Sequence, residues 1–277
     1  MSARRREPAT DVPGLERGIA ILRLFRRDRT RLGAPEVAAE LGIPRSTVHR
    51  LLVGLEALGM LRQAPRGVFA LGPGVLSLGF EYLASLDVVE VANPVLARLR
   101  DETGCSTHLA VLDRTSVVFV SRYPVRAAVS SGFGVGFSVP AHAALIGRLL
   151  LADLDREALG ALYQGVRLAD VGPNAPTTLD ALAARIEAER ARGYGISDSN
   201  SASSLFPRGM IAISAPVRDA RGHTPAAINA TTVSGAFSAA EIRGALKDRV
   251  LGAAAEISAL LGAQPARPAS SRAPTRG

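Results

Sequence analysis

The sequence has little of several residue types, and each shortage excludes a class of protein. It holds one cysteine, Cys105, and no tryptophan among 277 residues. A single cysteine excludes an internal disulfide and a multi-cysteine zinc cluster. The four histidines lie far apart without metal-ligand spacing, so we predict neither a metal nor another cofactor. A G-x-S-x-G elbow and a phosphate-binding loop are also missing, so we predict no enzyme.

Long apolar runs are missing as well. No stretch approaches the roughly 18 apolar residues needed to cross a bilayer. The start, "MSARRREPATDVPG", has basic residues but no apolar segment behind them, so no signal peptide is predicted. Because 47% of the residues are hydrophobic, the chain can still bury at least one full core. We therefore expect a cytoplasmic protein of one large or two ordinary domains, without a membrane partner.

Positive charge is unevenly distributed along the chain. Residues 1–72 contain 13 arginines and 7 acidic residues, residues 73–264 are nearly neutral, and the last thirteen residues add three arginines. A basic segment ahead of a neutral body is typical of a polyanion-binding module joined to a second domain. A coding bias toward arginine explains why Lys247 is the one lysine, but it does not explain this segregation.

The basic segment has the pattern of a winged helix-turn-helix. Apolar stripes at helical spacing lie in residues 14–27, 34–42 and 44–58, and the first comprises Leu15, Ile19, Leu22 and Phe25. The following "MLRQAPRGVFALG" predicts two short strands around a Pro-Arg-Gly turn. In this motif the amino-terminal part of the second helix of the turn enters the major groove of DNA.

Polar side chains gather on the first turns of the predicted recognition helix. Arginine makes bidentate contacts with guanine, whereas serine and threonine hydrogen-bond bases or phosphates. The predicted DNA-contacting residues of this helix are Arg45, Ser46, Thr47, His49 and Arg50. Arg62 and Arg66, beside the turn of the wing, are predicted to contact phosphate. The alternative is a solvated helix face with a capping hydroxyl.

The remaining sequence predicts a second domain. Residues 74–90 form a predicted apolar helix that pairs with a partner subunit or packs across its own linker. From Asn93 onward helices and strands alternate, which predicts an α/β or α+β sensor domain around one sheet. In "SSGFGVGFSVPAHAALIG", glycines precede a helix predicted to begin near Ala141. A helix start favours an anion such as a carboxylate, and a plain connecting loop is the alternative.

Seven sequence blocks resemble the IclR-type bacterial transcriptional regulators, from Leu15 to Leu261. In chain order they are "GIAILRLF", "APEVAAELGIPRSTVHRLLVGLEALGML", "FALGPGVLSLG", "VPAHAALIGRLLLA", "RARGYGIS", "GMIAISAPVRDARG" and "AAEISALLG". The resemblance implies a multi-domain α+β protein with a GAF-like α/β effector-binding domain. Its expected parts are a disordered basic tail (1–14), a winged helix-turn-helix DNA-binding domain (15–72), a linker helix (73–92), an effector-binding and oligomerisation domain (93–264) and a disordered tail (265–277).

The resemblance also implies a function. Such a protein binds double-stranded operator DNA as a homodimer or homotetramer and responds to a small organic acid. "FALGPGVLSLGFEYLASL" and "AAINATT" are most similar to the branch that responds to protocatechuate, 4-hydroxybenzoate and related aromatic acids. The alternative is an effector-independent or architectural DNA-binding protein whose carboxy-terminal domain serves only oligomerisation.

Candidate effector-binding residues follow from the same resemblance. Carried over residue by residue, they are Gly136, Ser138, His142, Asp198, Ser214, Asn229 and Thr231, together with Arg126 as a partner for a carboxylate or for a surface salt bridge. The chain departs from the family pattern at Ala144 and Ala212, where hydroxyl or thiol side chains are common. Residues 197–208 are also longer than the usual connector, so we expect altered specificity or a partly closed pocket.

Overall fold

The computed structural model describes residues 12–26, 28–125, 134–172, 175–198 and 209–264. Arg126, most of the predicted long connector and the predicted carboxy-terminal tail therefore lie outside the described residues. The chain divides into two compact units, Met1–Ser85 and Leu86–Gly277. In the described part, no helix is both long and apolar enough to cross a lipid bilayer.

The first unit is a set of helices with a two-stranded wing. Its elements are α1 (Pro13–Leu24), α2 (Ala34–Leu41), α3 (Arg45–Ala57), the antiparallel strands β1 (Leu61–Ala64) and β2 (Val68–Leu71), and α4 (Gly74–Ala84). Leu32 extends the wing, because its N–H and C=O both bond the main chain of Phe69, at 2.9 and 2.8 Å. The helix-turn-helix and wing predicted from the sequence are thus present.

The core of this unit corrects the predicted face of α1. The buried side chains are Ile21, Leu24, Phe25, Leu32, Val37, Val48, Leu52, Leu61 and Phe69. Leu15 and Ile19, which the sequence placed on the buried stripe, are 62% and 41% exposed. Apolar residues occupy nearly every position from Ile19 to Phe25, so periodicity alone did not select the face that packs.

The predicted helix over residues 74–90 is two helices. α4 ends at Ala84, where the Ser85 hydroxyl donates to the carbonyl of Tyr82 at 2.7 Å. α5 (Asp87–Thr103) then begins with an acidic first turn, which favours a helix start. It continues through Pro94 and ends at Gly104, whose φ of 65° is a left-handed termination.

One antiparallel sheet forms the centre of the second unit. Its strands are β3 (Ser106–Asp113), β4 (Ser116–Tyr123), β5 (Ser138–Pro140), β6 (Gly195–Asp198), β7 (Met210–Val217) and β8 (Ala226–Val233). The spatial order is β5-β4-β3-β8-β7-β6, so the two short strands β5 and β6 form the edges. The sequence predicted the four central strands and missed both edges, because three or four residues carry too little periodicity.

Helices cover both faces of this sheet. They are α5, α6 (Leu145–Leu151), α7 (Arg156–Leu162), α8 (Leu179–Arg192), α9 (Ala239–Glu241), a π-helical turn (Ile242–Leu246) and α10 (Lys247–Leu260). α5 and α10 pack on one face, and α6, backed by α8, packs on the other. The prediction that α6 begins near Ala141 is wrong, because Ala141 and Ala143 donate their N–H groups to Thr115 and Pro140 in a turn before the helix.

Candidate functional site

The amino-terminal end of α3 brings the predicted DNA-contacting residues together. Four of the side chains are exposed and Thr47 is half-buried; the exposed ones are Arg45, Ser46, His49 and Arg50. Val48 and Leu52, on the opposite side of the helix, are fully buried. Burial of the apolar face therefore turns the polar face outward, as groove entry by a recognition helix requires.

The turn before α3 fixes the direction in which this helix leaves the core. Gly42 follows α2 with φ 66° and donates its N–H to the carbonyl of Ala38 at 2.9 Å. Such a left-handed residue stops a helix and reverses the chain at little cost only when it is glycine. The first turn of α3 holds no acidic residue, so its positive charge is not offset there.

The wing presents two further arginines. Arg62 is exposed on β1, opposite Ala70 of β2. Arg66 is exposed at the tip, where it and Gly67 have φ values of 69° and 70°. A non-glycine residue with positive φ is uncommon, so the backbone of this turn is strained at Arg66.

A pocket lies between the sheet of the second unit and α6. Its enclosed volume is about 40 Å³, within about 520 Å³ of space that includes open solvent, and it is lined by His108, Phe119, Ala144, Leu145, Ile146, Ser197, Met210, Ala212, Ser214, Asn229 and Thr231. Among these described lining residues, none is an arginine, a lysine or an acid. The pocket is thus apolar with a few uncharged polar groups.

The polar groups form two rows across the sheet. His108 of β3 faces Asn229 of β8, which in turn faces Ser214 of β7. Directly opposed residues of antiparallel strands point to the same face, with Cβ atoms about 4.5–5.5 Å apart. Two residues further along β8, on the same face, Thr231 pairs with Ala212 of β7. The first row, His108–Asn229–Ser214, is here called the polar row.

His108 anchors the polar row in a neutral form. Its Nδ1 lies 2.8 Å from the Oδ1 of Asn229, and its ring meets the edge of Phe119 at 5.7 Å between centroids. Since an amide oxygen only accepts hydrogen bonds, Nδ1 carries the proton. The pKa of His108 is lowered to about 4, mainly by burial and also by the positive charge of Arg122, although the hydrogen bond with Asn229 opposes the shift.

Ser214 differs from the other polar groups because its hydroxyl has no partner. The residue is fully buried, and no described residue hydrogen-bonds its Oγ. Thr231, in contrast, donates its hydroxyl to the carbonyl of Ser106 at 3.3 Å. A buried hydroxyl without a partner loses its hydration and gains nothing in return, at a cost of about 1–3 kcal/mol. Such groups in native structures mark places where a water or a ligand binds.

The wall opposite the sheet comes from α6. Gly195 of β6 is the cross-strand partner of Ser214, and a Cβ placed on it would lie 2.2 Å from Cδ1 of Leu145. The absence of that Cβ lets Leu145 sit directly on the sheet. Ala144 and Ala212, the two departures from the family pattern, both line the pocket. The pocket therefore lacks hydroxyl or thiol groups at these two positions but has a hydroxyl at Ser214.

A buried ion pair holds α6 in place. The Nε of Arg148 donates to both carboxylate oxygens of Glu189 in α8 at 3.0 Å, and its Nη2 donates to Oε1 at 2.8 Å. Its Nη1 also donates to the carbonyl of His142 at 3.3 Å. Both side chains are more than 90% buried, so the pair fixes α6 and the preceding turn against α8.

Three predicted effector-binding residues meet in the pocket, and three others among the described residues do not. Ser214, Asn229 and Thr231 line it, whereas Gly136, Ser138 and His142 are not among its lining residues. Gly136 and Ser138 are exposed near the edge strand β5. Asp198 is the last residue of β6, next to the lining residue Ser197, and its side chain lies outside the described part of the structure.

His142 is buried behind the pocket. Its Nε2 lies 3.2 Å from the carbonyl of Ala169, and its ring meets Tyr163 at 88°. Burial lowers the pKa of His142 and raises the pKa of Tyr163 to about 12. The surroundings of His142 are those of a packed core histidine, which holds the turn before α6.

Several lining residues were missed from the sequence. They are His108, Phe119, Leu145, Ile146, Ser197 and Met210. His108 alternates along β3 with Thr107, whose hydroxyl donates to Leu96 of α5 on the other face. The alternation within "STHLAVLD" was a signal that His108 shares a face with the pocket, but only the strand order placed it beside Asn229.

Comparison with known proteins matches both units to one family. A model described as "IclR helix-turn-helix domain" matches residues 14–65. A second, described as "Bacterial transcriptional regulator IclR C-terminal", matches residues 80–259. Together they cover most of the chain, in the order of the two compact units.

Full-length relatives agree. The p-hydroxybenzoate hydroxylase transcriptional activator of Acinetobacter baylyi is 33% identical, over 79% of this chain and 80% of that protein. The Pca regulon regulatory protein of Pseudomonas putida is 30% identical, over 82% of this chain and 77% of that protein. An IclR homologue from Microbacterium hydrocarbonoxydans, crystallised with 4-hydroxybenzoate, is 26% identical with a TM-score of 0.74. The match covers 90% of this chain and 98% of that chain. The chain belongs to the IclR family of bacterial transcriptional regulators, with a helix-turn-helix DNA-binding domain and an effector-binding carboxy-terminal domain.

Proposed function

We propose that this regulator responds to a small aromatic acid bound in the pocket between the sheet and α6. The observation that carries the proposal is the pocket itself, which combines apolar walls with the polar row and Thr231. Apolar side chains such as Phe119 and Ile146 suit an aromatic ring, and uncharged polar groups fix its orientation. The name of one relative refers to p-hydroxybenzoate hydroxylase, and another relative was crystallised with 4-hydroxybenzoate.

Binding of the acid acts on DNA only if it favours one arrangement of the protein. An effector with equal affinity for two states shifts neither, so the acid must bind one DNA-binding state more tightly. α6 is suited to transmit effector binding to the rest of the second unit, because Leu145 lines the pocket while Arg148 is paired with Glu189 of α8. Effector binding is thereby linked to the packing of the second unit.

DNA is bound by α3 and the wing. In this proposal Arg45, Ser46, Thr47, His49 and Arg50 contact base edges and nearby phosphates, and Arg62 and Arg66 contact phosphates. The support is their common exposure around the start of α3 and on the hairpin. The absence of an acid from the first turn of α3 leaves this surface positively charged.

A second copy of the chain is the proposed partner of α4. None of the residues of this helix is buried, and Leu76, Leu78 and Phe80 are 75%, 64% and 64% exposed. A helix this apolar on its outer surface is covered in a stable soluble protein. Light scattering of the full chain tests the proposal: a dimer or tetramer is expected, and a monomer at micromolar concentration contradicts it.

The function is tested with the full chain and DNA. Selection from a random duplex library gives a high-affinity site, and fluorescence anisotropy then measures affinity with and without benzoate, 3-hydroxybenzoate, 4-hydroxybenzoate and protocatechuate. At least one acid is expected to change the affinity by fivefold or more. DNA binding that no acid changes would favour the effector-independent alternative and reject the proposed effector class.

A further inference from the structure

We propose that Ser214 and Asn229, with Asn229 oriented by His108, form a subsite that binds an uncharged hydroxyl group on the effector. The inference rests on the proposed function and deepens it, because it specifies which aromatic acid the pocket prefers. The effector is then a hydroxylated acid whose hydroxyl points to the sheet, rather than an unsubstituted acid or a diacid.

The first argument is the unpaired hydroxyl of Ser214. It is fully buried, it lines the pocket, and no described residue hydrogen-bonds it. A hydroxyl in that position both donates and accepts, so it matches a ligand atom that does the same. If the pocket bound only an unsubstituted ring, alanine at this position would be more favourable, because it avoids the cost of desolvating an unpaired hydroxyl.

The second argument is the orientation of Asn229. Its Oδ1 is held by Nδ1 of His108 at 2.8 Å, on the side of β3. The amide nitrogen is on the opposite edge of the planar group, so it is turned away from His108, while Ser214 lies on the next strand over. Although the two residues are direct cross-strand partners, Ser214 Oγ accepts no hydrogen bond from that nitrogen. A ligand hydroxyl between them would accept a hydrogen bond from the Asn229 nitrogen and pair with the Ser214 hydroxyl, which has no partner among the described residues.

The third argument is charge. His108 is neutral, and among the described residues that line the pocket none is cationic. The nearest cation, Arg122, is the cross-strand partner of His108 at the far end of the row from Ser214, and it does not line the pocket. A second carboxylate placed at Ser214 therefore has no adjacent counter-charge, and an unpaired buried charge is far more costly than a neutral hydroxyl. The subsite therefore distinguishes a hydroxyl from a carboxylate at the same position of the ring.

Calorimetric titration of the full chain compares 3- and 4-hydroxybenzoate with benzoate and terephthalate. Wild type is expected to bind one hydroxybenzoate at least tenfold more tightly than benzoate and terephthalate. Ser214→Ala is expected to weaken binding of that hydroxybenzoate roughly fivefold to a hundredfold and to leave benzoate unchanged, since one buried hydrogen bond is lost. Equal weakening of both acids, or no weakening, overturns the proposal.

A stability measurement separates the subsite from a structural role. Because the hydroxyl of Ser214 is unpaired, Ser214→Ala is expected to keep or raise the melting temperature of the ligand-free protein. Ser258→Ala is the matched control, because that buried hydroxyl donates to Ala254 and accepts from the N–H of Arg218. The control is expected to lower the melting temperature without changing hydroxybenzoate affinity. A lower melting temperature for Ser214→Ala argues against the proposal.

His108 is a positioning residue, and two substitutions test that role. His108→Asn keeps an N–H donor near the position of Nδ1, whereas His108→Leu removes it. The first is expected to retain the preference for hydroxybenzoate over benzoate, and the second to reduce it about as much as Ser214→Ala. Identical behaviour of the two variants overturns the positioning role.

Neutral compounds keep the test independent of the effector class. If neither benzoate nor a hydroxybenzoate binds, the proposed aromatic-acid function is wrong, and phenol is then compared with anisole. Phenol binding that is tighter than anisole binding and is weakened by Ser214→Ala supports the subsite. Equal binding of the two, or no binding of phenol, overturns it.

Discussion

At the scale of single residues, the proposed DNA interface predicts different effects for arginines of α3 and of the wing. Arg45 and Arg50 are exposed on the first two turns of the helix, and Arg66 is exposed at the tip of the wing. Arg45→Ala and Arg50→Ala are each expected to weaken binding to the selected DNA site by about 1–3 kcal/mol relative to random DNA. Arg66→Ala is expected to weaken binding to all sequences alike and to lower the salt dependence.

Fluorescence anisotropy at several salt concentrations measures both effects. Arg66→Ala is a suitable comparison, because alanine and arginine both carry a Cβ and are similarly disfavoured at a φ of 69°. The substitution therefore leaves the backbone strain of the wing turn unchanged. Unchanged site preference in both α3 variants would contradict the assignment of the recognition helix.

His108 predicts a pH dependence of stability. Because its pKa is lowered to about 4 in the folded protein, the unfolded chain takes up a proton first as the pH falls below about 6.5. The stability that neutral His108 provides is complete above this pH and is lost as the pH falls toward 4. Between pH 7 and pH 5, wild type is expected to lose about 2 kcal/mol more free energy of unfolding than His108→Asn.

Denaturant titrations of the two proteins at pH 7, 6 and 5 check this prediction. His142 titrates in both proteins and cancels in the comparison. Parallel pH profiles would mean that folding does not lower the pKa of His108, which contradicts the prediction.

At the scale of elements, the Arg148–Glu189 pair holds α6 against α8. Arg148→Met leaves Glu189 as an uncompensated charge at 3% exposure, so the free energy of unfolding is expected to fall by about 3–5 kcal/mol. Arg148→Met combined with Glu189→Leu removes both charges and is expected to restore most of that loss. A double-mutant cycle by chemical denaturation measures this, and a double variant as unstable as the sum of the single ones contradicts it.

A glycine inside α6 fixes the turn before the helix. Gly147→Ala adds a Cβ that would lie 2.4 Å from the carbonyl oxygen of Ala141, so the backbone of the turn must move. Alanine normally stabilises a helix interior by about 1 kcal/mol relative to glycine, and here the sign is expected to reverse. Gly252→Ala in α10 is the control, because nothing lies within 4 Å of its added Cβ. Thermal unfolding should show a lower midpoint for Gly147→Ala only; a raised midpoint would contradict the close contact.

At the scale of the whole molecule, effector and DNA binding are expected to be linked reciprocally. If a hydroxybenzoate changes DNA affinity by some factor, DNA must change hydroxybenzoate affinity by the same factor. Calorimetric titration with and without saturating site DNA measures the second factor, and anisotropy measures the first. A factor that appears in one titration alone would show that the acid acts on something other than the binding equilibrium.

The sequence and the structure agree best where a local pattern sufficed. The helix-turn-helix, the hairpin after it and the central strands of the sheet followed from periodicity, glycine and proline positions, because each of these elements buries a face that its own residues define. Family membership followed from seven blocks spread along the chain, and the family matches over residues 14–65 and 80–259 confirm it.

The buried face of α1, the break at Ser85 and the start of α6 at Leu145 depended on contacts from outside the segment. The composition of the pocket likewise could not be predicted from local sequence alone. Asn229 and Ser214 were candidates from the sequence, but His108 joined them only because β3, β8 and β7 are neighbours in one sheet. Sequence determines which residues a strand presents to a face, because side chains alternate along it. Strand order and register decide which of those residues meet, because pairing is set by contacts between segments more than 100 residues apart.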